Sequence, residues 1–247
     1  MSELTVTFLG SGDAFSSGGR LNTCILVEGE DKRFLLDCGA SSLAAMKSQG
    51  VDPKSIDTIL ITHLHGDHFG GLPFMIIEAR FVSPRERPLT VVGPPGLEQR
   101  VIAAMEMLYP NSSQALDFVD VVFIEIYAGK TSTIGELQVT PYEVIHPSGA
   151  PSYALRVEYA DKVITYSGDT EWTDVLPVAA RDAHLFICEA GFYDRLVPNH
   201  LSYATLLARR EEFTCKQFVL THMSDEMLAQ LPDIEFDFAA DGKSFVV

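Results

Sequence analysis

The chain has 247 residues, 47% of them hydrophobic, and a formal net charge of −16 from 34 acidic against 18 basic side chains. That is enough apolar material for a substantial core, and no Pro/Gly/Ser-rich linker, charge block or internal repeat divides it, so a single domain over 1–247 is expected. An acidic surface repels polyanions at long range, which argues against a protein that grips long nucleic acid through many phosphates.

In chain order, residues 4–9 alternate as a strand and end in Gly10-Ser11-Gly12, so 1–11 do not read as a targeting segment. Residues 22–28 and 32–37 predict a hairpin, and 41–49 a short helix capped by Ser41 or Ser42 and stopped at Gly50. Residues 56–61 are an apolar, β-branched strand, and 70–79 a helix. The only basic cluster, Arg80, Arg85 and Arg87, reads as a solvated loop face. A strand over 89–92, a Gly-Pro turn and a helix over 97–108 follow. Strand patterns dominate 119–126, 137–145, 153–159 and 162–166. Strands and helices then alternate: strand 184–188, helix 202–212, strand 217–221, helix 225–230, with short strands near 235–238 and 244–246. Strand groups flanked by helices in both halves predict two sheets packed face to face with helices outside, an α/β fold. No apolar run approaches the ~20 residues of a membrane span. Cys24, Cys38, Cys188 and Cys215 are scattered and form no CxxC pair, which predicts buried free thiols and a reducing cytoplasm.

The most informative segment is Thr62-His63-Leu64-His65-Gly66-Asp67-His68. It places four metal-ligand side chains in six positions at the end of a buried strand. In an extended stretch His63 and His65 point to the same side, because strand side chains alternate. Further strands end in His146, in Ser167-Gly168-Asp169-Thr170 and in His222, and Leu36-Asp37-Cys38-Gly39 ends an early one. Zinc takes imidazole and carboxylate ligands. His63, His65 and His146 suit one metal, and Asp67, His68 and His222 a second, with Asp169 the natural bridge. Asp37 is expected to orient the metal loop through hydrogen bonds. A His-rich, thiolate-free set favours two zinc ions per chain, with manganese or iron as alternatives. Paired metals clamp a bridging hydroxide.

These residues, in this order, resemble the signature of the metallo-β-lactamase superfamily. The nearer likeness is to the tRNA 3′-end processing (tRNase Z) branch. It is carried by Phe8-Leu9-Gly10-Ser11-Gly12, Leu35-Leu36-Asp37-Cys38-Gly39, the His63 block, Tyr166-Ser167-Gly168-Asp169-Thr170, Glu189-Ala190, His200-Leu201-Ser202 and Leu220-Thr221-His222-Met223-Ser224. The resemblance implies a four-layer αββα sandwich and phosphodiester hydrolysis. It makes Asp67, His200 and Glu189 the catalytic residues, His200 as proton donor near the scissile phosphate with Glu189 behind it.

The chain departs from that branch in one respect. True tRNA processors carry a long Gly/Pro-rich, basic arm between the ligands matching His146 and Asp169, and here that interval holds two strands and a turn at Ala160-Asp161. A smaller relative, the cyclic-phosphate phosphodiesterase of the carbon–phosphorus lyase pathway, lacks the arm but has a cysteine-rich zinc site that these dispersed cysteines do not reproduce. The expected substrate is therefore a small phosphodiester or cyclic phosphate. Acyl hydrolysis and nuclease action on RNA 3′ ends stay open as alternatives. The branch also implies a homodimer, with apolar candidates at 72–77 and at Met105, Met107, Leu108 and Tyr109.

Overall fold

Ile59 and Leu60 are neighbours on one strand yet belong to different hydrophobic clusters. Side-chain alternation sends one to each face of the sheet, and a sheet covered on both faces needs partners on both. The computed structural model, which describes residues 3–247, meets that need with two seven-stranded sheets stacked between two helical layers.

In chain order the elements are β1 (Thr5–Gly10), β2 (Cys24–Glu28), β3 (Arg33–Leu36), α1 (Ser42–Ser48), β4 (Thr58–Leu60), α2 (Gly66–Phe69), α3 (Leu72–Phe81), β5 (Leu89–Gly93), α4 (Leu97–Leu108) and β6 (Val121–Glu125). The second half holds β7 (Ser132–Ile134), β8 (Leu137–Val144), β9 (Ser152–Tyr159), β10 (Lys162–Tyr166), α5 (Val175–Ala179), β11 (Leu185–Glu189), α6 (Tyr203–Ala208), β12 (Gln217–Thr221), α7 (Asp225–Leu228), β13 (Asp237–Phe238) and β14 (Ser244–Val246). One sheet runs β14-β1-β2-β3-β4-β5-β6 and the other β13-β12-β11-β10-β9-β8-β7.

The central core lies between the sheets and joins Phe8, Phe34 and Leu60 to Leu155, Ile164 and Ile187. An outer core packs Met46, Leu72, Ile76, Val101 and Met105 of α1, α3 and α4 on the first sheet. A matching one packs Leu176, Leu206 and Met227 of α5, α6 and α7 on the second. This is the four-layer αββα sandwich that the sequence predicts.

Several local expectations change. The helix expected over 70–79 is two pieces: α2 carries Asp67 and His68, and α3 begins at Leu72. Neither Ser41 nor Ser42 caps α1 by side chain; Ser41 instead accepts the Asn22 N–H at 2.7 Å. The helix expected over 202–212 stops at Ala208 and tightens into a 3-10 turn at Arg210–Glu212. β7 and α5 are too short to announce themselves. The Arg80, Arg85 and Arg87 cluster is a solvated face only at Arg87, whose side chain is 66% exposed. Arg85 donates to the carbonyls of Pro53 and Ile56, Arg87 pairs with Asp57, and Arg80 lies over the Phe118 ring. All four cysteines are free and three are buried, Cys215 being partly exposed.

The apolar stretch at 72–77 is mostly interior, because Leu72, Met75 and Ile76 pack under α4; Met105 is buried too. Met107 and Tyr109, with Phe81 and Phe118, are exposed. Among the described residues no helix is long and apolar enough to cross a membrane.

Candidate metal centre

β8, β10 and β12 run in the same sense in the second sheet and β4 lies in the first, and each is followed, just past its C-terminal end, by ligand-type side chains. Ligand sites of α/β proteins favour that edge. The loop after β4 carries His63 and His65, and α2 directly behind it carries Asp67 and His68. His146 follows β8, Asp169 follows β10 and His222 follows β12. The structure brings all seven together. The ligand-type atoms of His63, His65 and His146 lie within 4.8 Å of one another, and so do those of Asp67, His68, Asp169 and His222.

Asp169 stands between the two groups. Its Oδ2 is 4.0 Å from His63 Nε2, 3.8 Å from His146 Nε2 and 3.5 Å from His222 Nε2, while its Oδ1 is 3.4 Å from His68 Nε2. In the three-histidine half, His146 Nε2 faces His65 Nδ1 at 2.9 Å.

Asp37 sets the ring orientations from behind. Its carboxylate accepts the Thr62 N–H at 2.8 Å, the Thr62 hydroxyl at 2.9 Å and the His68 Nδ1–H at 2.7 Å. Thr62 Oγ1 in turn lies 3.0 Å from His63 Nδ1. One carboxylate thus fixes a histidine in each half and leaves both Nε2 atoms facing inward. The loop is pinned by main chain as well: Cys38 N–H donates to the His68 carbonyl and Gly71 N–H to the Cys38 carbonyl. At Gly39 the two segments touch so closely that a Cβ would collide with the Asp67 carbonyl oxygen, so only glycine fits there.

The residues fit divalent metals. His63 Nε2, His68 Nε2 and Asp169 Oδ1 are buried without a hydrogen-bond partner. Native interiors rarely tolerate such orphans unless they have a functional task. Burial, reinforced by neighbouring imidazoles, holds His63, His65 and His146 down in the neutral form that ligates metal. Burial would also lower His222, but Asp169 and Asp67 outweigh it and bring it up to about 9. Burial acts upward on both carboxylates, yet the charges of His68 and His222 hold Asp67 and Asp169 below the usual carboxylate range.

Glu189 ends β11, fully buried, and its oxygens lie 3.2 Å from His200 Nδ1. They also accept the main-chain N–H groups of Thr170 and Leu201. Burial would lower His200, but the Glu189 carboxylate raises it above the ordinary imidazole value. Ser202, the next residue but one, caps α6 by accepting the Thr205 N–H, so the helix start and the His200 ring are fixed together.

Residues that the sequence did not single out complete the site. A cavity of about 660 Å³ opens over the cluster, and Phe15, Phe192 and Arg195 form part of its wall. Phe15 is 89% exposed. Its loop is braced by Asp13, which accepts the Phe15 and Ser17 N–H groups, and by Asp225, which accepts that of Gly18. The available signal was an apolar ring isolated among Ser and Gly, directly after the Gly10-Ser11-Gly12 turn.

Comparison with known proteins places these features in a family. The model of the family described as Anti-Pycsar protein Apyc1 matches residues 4–245. The ribonuclease Z of Methanothermobacter thermautotrophicus is 36% identical over 143 residues, covering 58% of this chain and 45% of that one. Against several ribonuclease Z and ribonuclease BN relatives the chain spans about half of their length. Among solved structures, the metallo-β-lactamase fold protein YhfI from Bacillus subtilis superposes with a TM-score of 0.79 at 21% identity over the whole of both chains. A diphosphatase from the PhnP family gives 0.79 at 18% identity, over 98% of this chain and 97% of that one.

Proposed function

This chain belongs to the family described as Anti-Pycsar protein Apyc1, and from that premise we propose that it is a metal-dependent phosphodiesterase acting on small phosphodiesters or cyclic phosphates. The carrying observation is the convergence of seven ligand-type side chains with the Glu189–His200 pair at one cavity. Two zinc ions are the proposed cofactor, one held by His63, His65 and His146, the other by Asp67, His68 and His222, with Asp169 between them. When bound, such ions acidify water and stabilise charge on phosphoryl oxygens.

The chain's own residues do the rest. Asp37 and Thr62 keep the ligand rings oriented. His200, protonated against Glu189, hands a proton to the leaving oxygen. The cavity is of the size that suits a small ligand, and outside the histidine cluster its wall carries the carboxylates of Asp13, Asp225 and Glu226 and one guanidinium, Arg195. That wall, the chain's charge and the short β9–β10 connection favour a small diester over tRNA. Cleavage at RNA 3′ ends remains the second reading, because ribonuclease Z enzymes are among the relatives. A self-associating surface around Met107 and Tyr109 is part of the proposal, to be checked by light scattering against the 27.1 kDa chain mass.

The test is a substrate panel on zinc- and manganese-loaded protein: bis-p-nitrophenyl phosphate, cyclic nucleotides, precursor tRNA, a thioester and a lactone. Turnover is expected on the diesters. Efficient cleavage of precursor tRNA, or thioester turnover exceeding diester turnover, would overturn the reading.

A further inference from the structure

His146 and His200 sit on different loops, yet a closed ring of hydrogen bonds joins them. The His146 Nδ1–H donates to the Asn199 carbonyl at 2.9 Å. The Asn199 N–H donates to Glu171 Oε2 at 3.1 Å. The Glu171 N–H returns to the carbonyl of Ile145, next to His146, at 3.2 Å. Thr170 braces the same corner: its hydroxyl accepts the Ile145 N–H and donates to the Glu171 carbonyl. Asn199 holds φ at +67°, a left-handed conformation that asparagine adopts more readily than most residues. The residue after it is His200.

We propose that Glu171 is a positioning residue, whose carboxylate locks the His200 loop and the His146 ring into one unit. The inference rests on the reading of His146 as a ligand and His200 as a proton donor. With Nδ1–H committed to Asn199, the His146 ring presents Nε2 toward His65 in a single tautomer. Outer hydrogen bonds of this kind set the tautomer and basicity of ligating imidazoles. Without the Glu171 acceptor the Asn199 N–H loses its partner, its carbonyl is free to turn, and both histidines lose their placement together. Glu189 holds the far side of the same loop through His200 Nδ1 and the Leu201 N–H, so Glu171 fixes the Asn199 end and Glu189 the other.

Three readouts on the full-length protein test this, comparing Glu171→Gln, which still accepts a hydrogen bond, with Glu171→Met, of equal length but unable to accept. Nitrogen-15 NMR of the metal-free protein reads the His146 tautomer, expected as Nδ1–H in the wild type and mixed in Glu171→Met. Zinc titration against a chelator should show one of two equivalents weakened ~10–100-fold in Glu171→Met. Its turnover should fall further on a cyclic nucleotide, whose alkoxide needs a proton, than on bis-p-nitrophenyl phosphate. Glu171→Gln should recover most of each loss.

An unchanged tautomer and unchanged zinc affinities in Glu171→Met would overturn the inference. So would a Glu171→Gln protein as impaired as Glu171→Met, or failure of Glu171→Met to fold by circular dichroism, since the role would then be global. A wild-type protein that takes up no zinc would overturn the proposed function instead, and the tautomer comparison would still decide this inference.

Discussion

His200 Nδ1 meets both carboxylate oxygens of Glu189 at 3.2 Å, at the end of a strand whose residues are all buried. A side chain held this way keeps its proton and aims its other nitrogen outward, toward the cavity that it lines. General-acid assistance is typically worth ~10²–10⁴-fold. His200→Ala is expected to lower kcat by that order with metal content unchanged, and by less on p-nitrophenyl esters, whose leaving group hardly needs a proton. Steady-state kinetics on both substrate types, with elemental analysis of the same samples, checks this.

Asp169 and Asp37 should behave differently when removed. Asp169 lies between both ligand groups, so Asp169→Ala is expected to abolish turnover and take the protein below two metal equivalents. Asp37→Ala leaves every ligand in place but frees the rings of His68 and His63. Metal affinity should fall ~10–100-fold, with lower thermal stability. Near-normal turnover in an Asp169→Ala protein that retained both metals would remove Asp169 from the bridging position.

Metal removal should destabilise the fold. The inward Nε2 atoms of His63 and His68 and the Asp169 carboxylate are buried, so ions binding the native state alone stabilise it by mass action. At a free ion concentration of 100 Kd the effect is about 2.7 kcal/mol per site. For a chain of this size that corresponds to roughly 5–10 °C in Tm. Differential scanning calorimetry with and without a chelator should show a shift of at least that size, reversed by zinc.

Phe15 is 89% exposed at the cavity mouth, so Phe15→Ala should leave stability within about 0.5 kcal/mol. Stacking of a base on an aromatic ring is worth ~1–3 kcal/mol. For a substrate that carries a base, KM should therefore rise, by roughly 5–150-fold if the ring stacks on it, with kcat little changed. An unchanged KM on cyclic nucleotides would show that the ring takes no part in binding.

The histidine and aspartate cluster was legible because it is written in residue type: His63, His65, Asp67 and His68 are costly at a buried strand end unless they meet partners there, and the structure brings them together. The sheets were legible because runs such as 56–61 and 217–221 are apolar and β-branched. What stayed hidden depends on contacts distant in sequence. Ser41 looks like a helix cap, yet its hydroxyl serves Asn22. Arg85 looks solvated, yet it closes a loop on Pro53 and Ile56. Residues 72–77 are apolar whether they face a partner or α4, and only the packing of α4 decides. Glu171 carried no signal, since a single acidic residue beside Trp172 reads as surface until Asn199 is seen to fold back onto it.

The strand orders carry one more consequence. Taken from its antiparallel end, each sheet repeats the same scheme. Three antiparallel pairings, β14-β1-β2-β3, lead into the parallel run β3-β4-β5-β6. In the same way β7-β8-β9-β10 leads into β10-β11-β12-β13. A chain doubled from one seven-stranded ancestor, with its first strand transferred to the far terminus as β14, would have this arrangement. Asp37 and Asp169 then occupy twin positions, just past the equivalent strands β3 and β10. One twin steadies the rings from behind and the other stands among them. The first half contributes His63, His65, Asp67 and His68, the second His146, Asp169 and His222, so the centre lies on the seam between the repeats and neither repeat alone holds a full set.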